Sequence, residues 1–212
     1  GGIMALIGDM VGPMATAMII AIFLVYIVMA LQFEKLKQPL LIMVTIPFCF
    51  IGVVLGLLIF GSTLNLLALL GLISLAGIVV NNGIILVDYV NQLRKNRRLE
   101  IAMKKGNQNK DGEWNVQLSC EEETQLLYDC VADGAASRIK PILITTLTTL
   151  LGDIPMAISS GEGAEIYAPM GQAIVGGLIT STLITLIIIP TLYFIAEKPK
   201  KNKYLKTNED EK

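Results

Sequence analysis

The apolar run "GIVVNNGIILVDY" at 77–89 contains three polar side chains: Asn81, Asn82 and Asp88. A second run, "SRIKPILITTLTTLLGDIPMAI" at 137–158, carries Arg138, Thr145, Thr146, Thr148, Thr149 and Asp153. Amides and hydroxyls donate and accept hydrogen bonds without carrying charge, whereas the acids and the arginine can hold or bias it. In apolar surroundings such groups do one of two things. They join helices as hydrogen-bond glue, worth about 0.6 kcal/mol per contact on average, or they line a path for polar or ionic cargo.

Spacing separates the candidates. Ser74, Gly77, Asn81, Ile84 or Ile85, and Asp88 recur at three- and four-residue steps, which places them on one helix face. Arg138, Thr145, Thr149 and Gly152 recur in the same way, with Thr146 and Asp153 on the flank. Both stripes are costly against lipid, so they are predicted to turn inward, toward protein or a water-filled path. Asn81 and Thr145 carry the path reading furthest. Asn82, Thr146 and Thr148 read more simply as glue, Asp88 as a solvated acid near the membrane boundary, and Arg138 as an anchor there. Asp153 reads as an acid solvated in an outer vestibule.

Other chemistries find little support. There is no histidine, no GxSxG, no GxxxxGK[ST], no HExxH and no helical pair of carboxylates. The expectation is a non-enzyme with no cofactor and no metal site. Cys49, Cys120 and Cys130 lack a CxxC pattern and read as free thiols. No basic face suggests nucleic acid.

The elements that must position these residues are membrane helices. The chain of 212 residues is 53% hydrophobic and 17% charged, with mean hydropathy +0.63. No charge falls in Met10–Phe33, Gln38–Val87 or Ile166–Ala196, and about 20 apolar residues suffice to cross a bilayer. Five spans are predicted: Val11–Phe33, Pro39–Phe60, Leu64–Val90, Ile139–Ile158 and Pro169–Ala196. Pro47 and Pro155 should bend or interrupt theirs. In the turn "GSTLN", Asn65 or Thr63 can cap the third span. Gly52 and Gly56 form a GxxxG pair, and Gly177, Ser181 and Thr185 repeat small residues every four positions, which marks close helix packing.

All 17 lysines and arginines fall in three places: Lys35 and Lys37, Arg94 through Lys140, and Lys198 through Lys212. Five spans put these on one side, which the positive-inside rule makes cytoplasmic, with the N-terminus outside and the C-terminus inside. Residues 1–10 read as the end of an extracytoplasmic segment without a basic signal region. That outside start, with no initiating Met, reads as the C-terminal piece of something longer. Within the 91–137 connection, "KKGNQNKDGEWN" reads as a flexible loop, and Ser119 with Glu122 as a capping box opening an amphipathic helix. The tail from 197 to 212 is expected to be disordered, its lysines near anionic lipid.

The long stretches "ALQFEKLKQPLLIMVTIPFCFIGVVLGLLIFGSTLNLLALLGLISLAGIVVNNGIILVDYVNQLR", "SRIKPILITTLTTLLGDIPMAI", "GEGAE" and "GGLITSTLITLIIIPTLY" resemble the C-terminal half of resistance-nodulation-division transporters, in the acriflavine-resistance (hydrophobe/amphiphile efflux) branch. The resemblance implies an all-α membrane protein whose five transmembrane helices are the last five of a twelve-helix bundle. It implies a proton relay: an acidic pair on the fourth helix faces a lysine on the tenth, with a threonine and an arginine on the eleventh. Asn81 stands at the lysine position, a departure from the pattern, while Arg138 and Thr145 match the arginine and threonine. An amide cannot act as a cationic partner, but it can hydrogen-bond a carboxylate in either protonation state. "RRLEIAMKKGNQNKDGEWNVQ" looks like an insertion.

The expected function is therefore the C-terminal membrane portion of a proton-driven multidrug or amphiphile exporter in a bacterial cytoplasmic membrane. The implied partners are the N-terminal half with its porter domains, further copies in a homotrimer, the lipid bilayer, and a periplasmic or membrane adaptor protein. The competing expectation is a non-transporting assembly or regulatory subunit derived from the same fold.

Overall fold

The computed structural model describes residues 2–33, 36–105, 118–161 and 163–199. Most of the predicted loop at 104–115 and most of the predicted disordered tail lie outside them, while Lys104 and Lys105 belong to α4. The described residues are helical, with no strand: α1 Gly2–Phe33, α2 Lys37–Met43, α3 Thr45–Phe60, α4 Leu66–Lys105, α5 Cys120–Ala157 and α6 Ala164–Glu197.

Four stretches are long and apolar enough to cross a membrane: Gly12–Phe33, Lys37–Phe60, Leu66–Lys104 and Ile166–Glu197. The other expected span, 139–158, lies in α5. It is the most polar of the five, because Lys140, four threonines and Asp153 interrupt it. Helix α1 already begins at Gly2, so positions assigned to an extracytoplasmic segment are helical.

Proline chemistry sets the one internal break. Pro47 has no N–H, and its ring crowds the carbonyl of residue 43. The helix accordingly divides at Val44 into α2 and α3. Thr45, fully buried, donates its hydroxyl to the Ile42 carbonyl at 2.7 Å and so offsets the disruption. Pro155 does not stop α5, which runs on to Ala157.

The turn between α3 and α4 closes on Gly61 at φ 69°, a left-handed conformation that glycine adopts without strain. The Ser62 N–H returns to the Leu57 carbonyl at 2.9 Å. Asn65 then caps α4, its Oδ1 accepting from the Ala68 N–H at 2.8 Å.

Helices α4 and α5 both exceed the sequence expectation. At 40 residues, α4 is about 60 Å long, twice a hydrocarbon core of about 30 Å. It continues past Val90 because "NQLRKNRRLEIAMKK" contains no glycine or proline and is rich in good helix formers. The predicted amphipathic helix and fourth span are one helix. It opens on the capping box, with the Ser119 hydroxyl accepting from the Glu121 N–H at 3.2 Å and Glu122 Oε2 accepting from the Ser119 N–H at 3.0 Å. Beyond the apolar layer, α4 and α5 form a paired hairpin around Leu93, Ile101, Leu118, Leu126 and Cys130.

Helix α6 is the hub, packing on α3, α4 and α5. Hydrophobic burial does not drive helices together in lipid, so close approach and dispersion must. Glycines permit it. A Cβ at Gly176 would lie 2.5 Å from the Gly56 Cα, and one at Gly52 would lie 2.9 Å from the Gly177 Cα. Ser181, fully buried on the same helix, donates to the Leu178 carbonyl at 3.2 Å. Around this seam Cys49, Val53, Leu57, Leu72, Leu75 and Leu178 form one apolar cluster.

Candidate functional site

Helices α4 and α5 run antiparallel. A Cβ on Gly134 would meet Val90 Cγ2 at 2.6 Å, and the Arg138 guanidinium lies over the Tyr89 ring. Counting residues from these two contacts along antiparallel helices of equal rise puts Asn81 at the depth of positions 143–146 on α5, which include Thr145. The two residues singled out by spacing thus share one level.

Within this chain the stripes do not turn inward as expected. Ser74, Gly77 and Asn81 are exposed on α4, as are Thr145 and Gly152 on α5. A Cβ at Gly77 or Gly152 would find nothing within 4 Å. The glycine seam draws α3 onto α6, and on α4 Gly77 lines an open cavity opposite Met18, Ala21, Ile22 and Val25 of α1.

Each polar pair is split by this arrangement. Asn81 is exposed while Asn82 is buried. Thr145 is exposed, whereas Thr146 is buried with its hydroxyl 3.3 Å from that of Thr182 on α6. Thr145 donates its only hydroxyl proton to the Pro141 carbonyl at 3.0 Å, so its outward oxygen is left to accept. Thr149 donates likewise to the Thr145 carbonyl at 3.0 Å, and Thr148 to the Ile144 carbonyl at 2.8 Å.

The remaining candidates are separate. Asp88 accepts from Gln92 Nε2 at 2.7 Å within α4. Arg138 sits below Thr145, its Nε buried without a hydrogen-bond partner among the described residues. Asp153 is half-buried near the other end of α5 and is not brought to the Asn81 level.

A buried polar network at the basic end of the bundle escaped the sequence reading. Gln38 and Asn91 exchange amide hydrogen bonds, Gln38 Nε2 donating to Asn91 Oδ1 at 3.1 Å and Asn91 Nδ2 to Gln38 Oε1 at 2.9 Å. The Tyr193 hydroxyl donates to Asn91 Oδ1 at 2.6 Å. Arg94 bridges Glu197 and Glu123, each at 3.1 Å, and Arg98 also donates to Glu123. Four helices, α2, α4, α5 and α6, therefore meet through polar side chains. The available signal was the spacing of Asn91 with Arg94 and of Tyr193 with Glu197, each pair on one helix face. Read singly, these residues pass for solvated anchors.

The family model for AcrB/AcrD/AcrF matches residues 10–108 and 115–197. The cobalt-zinc-cadmium resistance protein CzcA of Cupriavidus metallidurans is 32% identical over 84% of this chain and 14% of its own length. The multidrug resistance protein MdtC of Pantoea ananatis is 33% identical over 90% of this chain and 16% of its own. The swarming motility protein SwrC of Bacillus subtilis is 31% identical over 96% of this chain and 17% of its own. A heavy metal efflux pump crystal structure superposes with a TM-score of 0.66 at 29% identity, covering 87% of this chain and 15% of the pump. The chain thus spans between 14% and 17% of the length of these relatives.

Proposed function

Because the chain belongs to the AcrB/AcrD/AcrF family of resistance-nodulation-division efflux transporters, we propose that it is the C-terminal membrane portion of a proton-driven exporter. The observation that carries this reading is the exposure of Asn81 on α4 and of Thr145 on α5, two positions that counting along the antiparallel helices puts at a common depth. An exposed amide and an exposed hydroxyl oxygen at mid-span are expensive against lipid. Opposite an acidic pair from the other half of the transporter they become useful. The Asn81 amide can donate to a carboxylate and accept from a carboxylic acid, and Thr145 can accept a proton in a hydrogen bond. Arg138, one level lower, biases the field toward the charged form.

In this reading the protein spans a bacterial cytoplasmic membrane with its N-terminus outside and its basic ends in the cytoplasm. It works with the N-terminal half and its porter domains, in a trimer, with an adaptor protein. It converts no substrate chemically. The cargo is proposed to be a hydrophobic amphiphile, in line with the relatives named for multidrug resistance. The metal-cation reading rests on the likeness to CzcA and to the heavy metal pump.

The test is transport by the complete transporter in proteoliposomes under an imposed pH gradient, with a dye amphiphile and with zinc as alternative cargoes. Dye movement that collapses with the gradient supports the proposal, and zinc movement alone replaces the amphiphile with a cation. Failure to move either cargo, with the protein folded and trimeric, favours an assembly or regulatory role.

A further inference from the structure

We propose that Tyr89 is a positioning residue, its ring holding the Arg138 guanidinium in place without neutralising it. The Arg138 Cζ lies 4.2 Å from the centroid of the Tyr89 ring, within the range of a cation–π contact. The other arginines of the hairpin are held differently. Arg94 and Arg98 share Glu123, Arg94 also takes Glu197, and Arg97 pairs with Asp133. Of the acids nearest in sequence to Tyr89 and Arg138, Asp133 pairs with Arg97, and Asp88 accepts from the neutral Gln92 amide on its own helix. Among the described residues Arg138 has no ion pair and meets an aromatic face instead.

The difference has an electrostatic consequence. A carboxylate at contact distance would cancel most of the field of the cation toward other groups, whereas a ring quadrupole fixes its position and leaves the net charge intact. The Arg138 Nε–H is buried and unpaired, a donor whose acceptor is not among the described residues. Seven residues, about 10 Å along α5, separate this charge from the Thr145 level. A positive charge fixed there, with no ion pair among the described residues, lowers the proton affinity of an acid placed opposite Asn81 and Thr145. This inference rests on the proton-relay reading, and Tyr89 acts only through Arg138.

The experiment measures transport rate in the complete transporter at a fixed pH gradient. Tyr89→Leu is expected to slow transport about fivefold, within the range a partly desolvated cation–π contact supports. Tyr89→Phe and Tyr89→Trp should stay within about twofold of the parent, since both keep the ring face. On an Arg138→Ala background, Tyr89→Leu should cost nothing further. If Tyr89→Leu does not accumulate, Phe analogues with one to three ring fluorines at position 89 decide, because they keep the shape while weakening the quadrupole. The rate should then fall stepwise with fluorination. Impaired Arg138→Ala with unimpaired Tyr89→Leu, or no trend with fluorination, overturns the role of Tyr89 and leaves the relay standing. Unimpaired Arg138→Ala overturns both.

Discussion

The Arg94 guanidinium lies 3.1 Å from the Glu197 carboxylate, joining α4 to the last turn of α6 where the two helices leave the apolar layer. The same guanidinium reaches Glu123 on α5 at 3.1 Å, and all three side chains are largely buried. One cation thus holds two carboxylates that would otherwise repel each other. Arg94→Met keeps the stem but removes the cation that the two acids share. Losing one member of a buried ion pair costs roughly 3–5 kcal/mol. Arg98 still reaches Glu123 and offsets part of this, so the lower end of that range is expected. A lowered melting temperature of the detergent-solubilised protein checks this, and restoration by Glu197→Gln on the Arg94→Met background would tie the loss to the uncompensated acid.

The glycine seam predicts a sign as well as a size. Elsewhere in a helix Gly→Ala is favourable, by about 0.4–1 kcal/mol, through the unfolded chain. At Gly176 the new Cβ would stand 2.5 Å from a backbone atom of α3, which cannot move aside as a side chain can. Gly176→Ala should therefore destabilise by about 1–3 kcal/mol, as other overpacked sites do. Gly12, with nothing within 4 Å, is the control, and Gly12→Ala should be neutral or stabilising. Equal melting temperatures for the two variants would mean that α3 and α6 do not cross at Gly56 and Gly176.

Much of this architecture was legible because local chemistry and tertiary packing agree. Ser119 and Glu122 announce the start of α5, Asn65 the start of α4, and Pro47 the break at Val44. The GxxxG pair marks the α3 surface that α6 approaches most closely. What periodicity could not say is which way a polar stripe points. The steps from Ser74 to Asp88 define a face, but which side of α4 turns to α6 is decided by packing against residues about a hundred positions further along. The length of the α4–α5 hairpin was obscured for a related reason. The third span is expected to end at Val90, before "RKNRR", whose three arginines are paired across the hairpin with Glu123 and Asp133.

Orientation is open to a direct chemical test. Single cysteines at Ser62 and Gly163, in the two turns without lysine or arginine, are expected to react with an impermeant thiol reagent added to intact cells. Cysteines at Gln92 and Ser119, at the basic end, should react only after permeabilisation. The background needs Cys49, Cys120 and Cys130 replaced. Cys49→Ala will cost some stability because that side chain is fully buried in the α3–α6 cluster. Labelling of Gln92→Cys or Ser119→Cys in intact cells would reverse the proposed orientation.

Asn81 and Asn82 allow the relay and packing roles to be separated at adjacent positions. The two side chains differ by about 100° around α4. One is exposed at the level of Thr145, and the other is buried within the bundle at 4% exposure. Asn82→Leu replaces a buried amide in a packed site, so its effect should appear as a lowered melting temperature, with transport reduced only in proportion to folded protein. Asn81→Leu changes an exposed side chain and should leave the melting temperature within experimental error. In the complete transporter it removes the amide proposed to satisfy a carboxylate of the other half. An under-satisfied buried acid costs about 1–3 kcal/mol, and every 1.4 kcal/mol is a factor of ten, so gradient-driven transport should fall about tenfold. Asn81→Lys should restore a cation at this level and retain transport with a displaced pH optimum, since a fixed positive charge lowers the proton affinity of the facing acid. The measurement is efflux in vesicles across pH 6–8, normalised to folded trimer. Parent-like transport by Asn81→Leu over that range would show that the exposed amide is idle and that the carboxylates of the other half find their partners elsewhere.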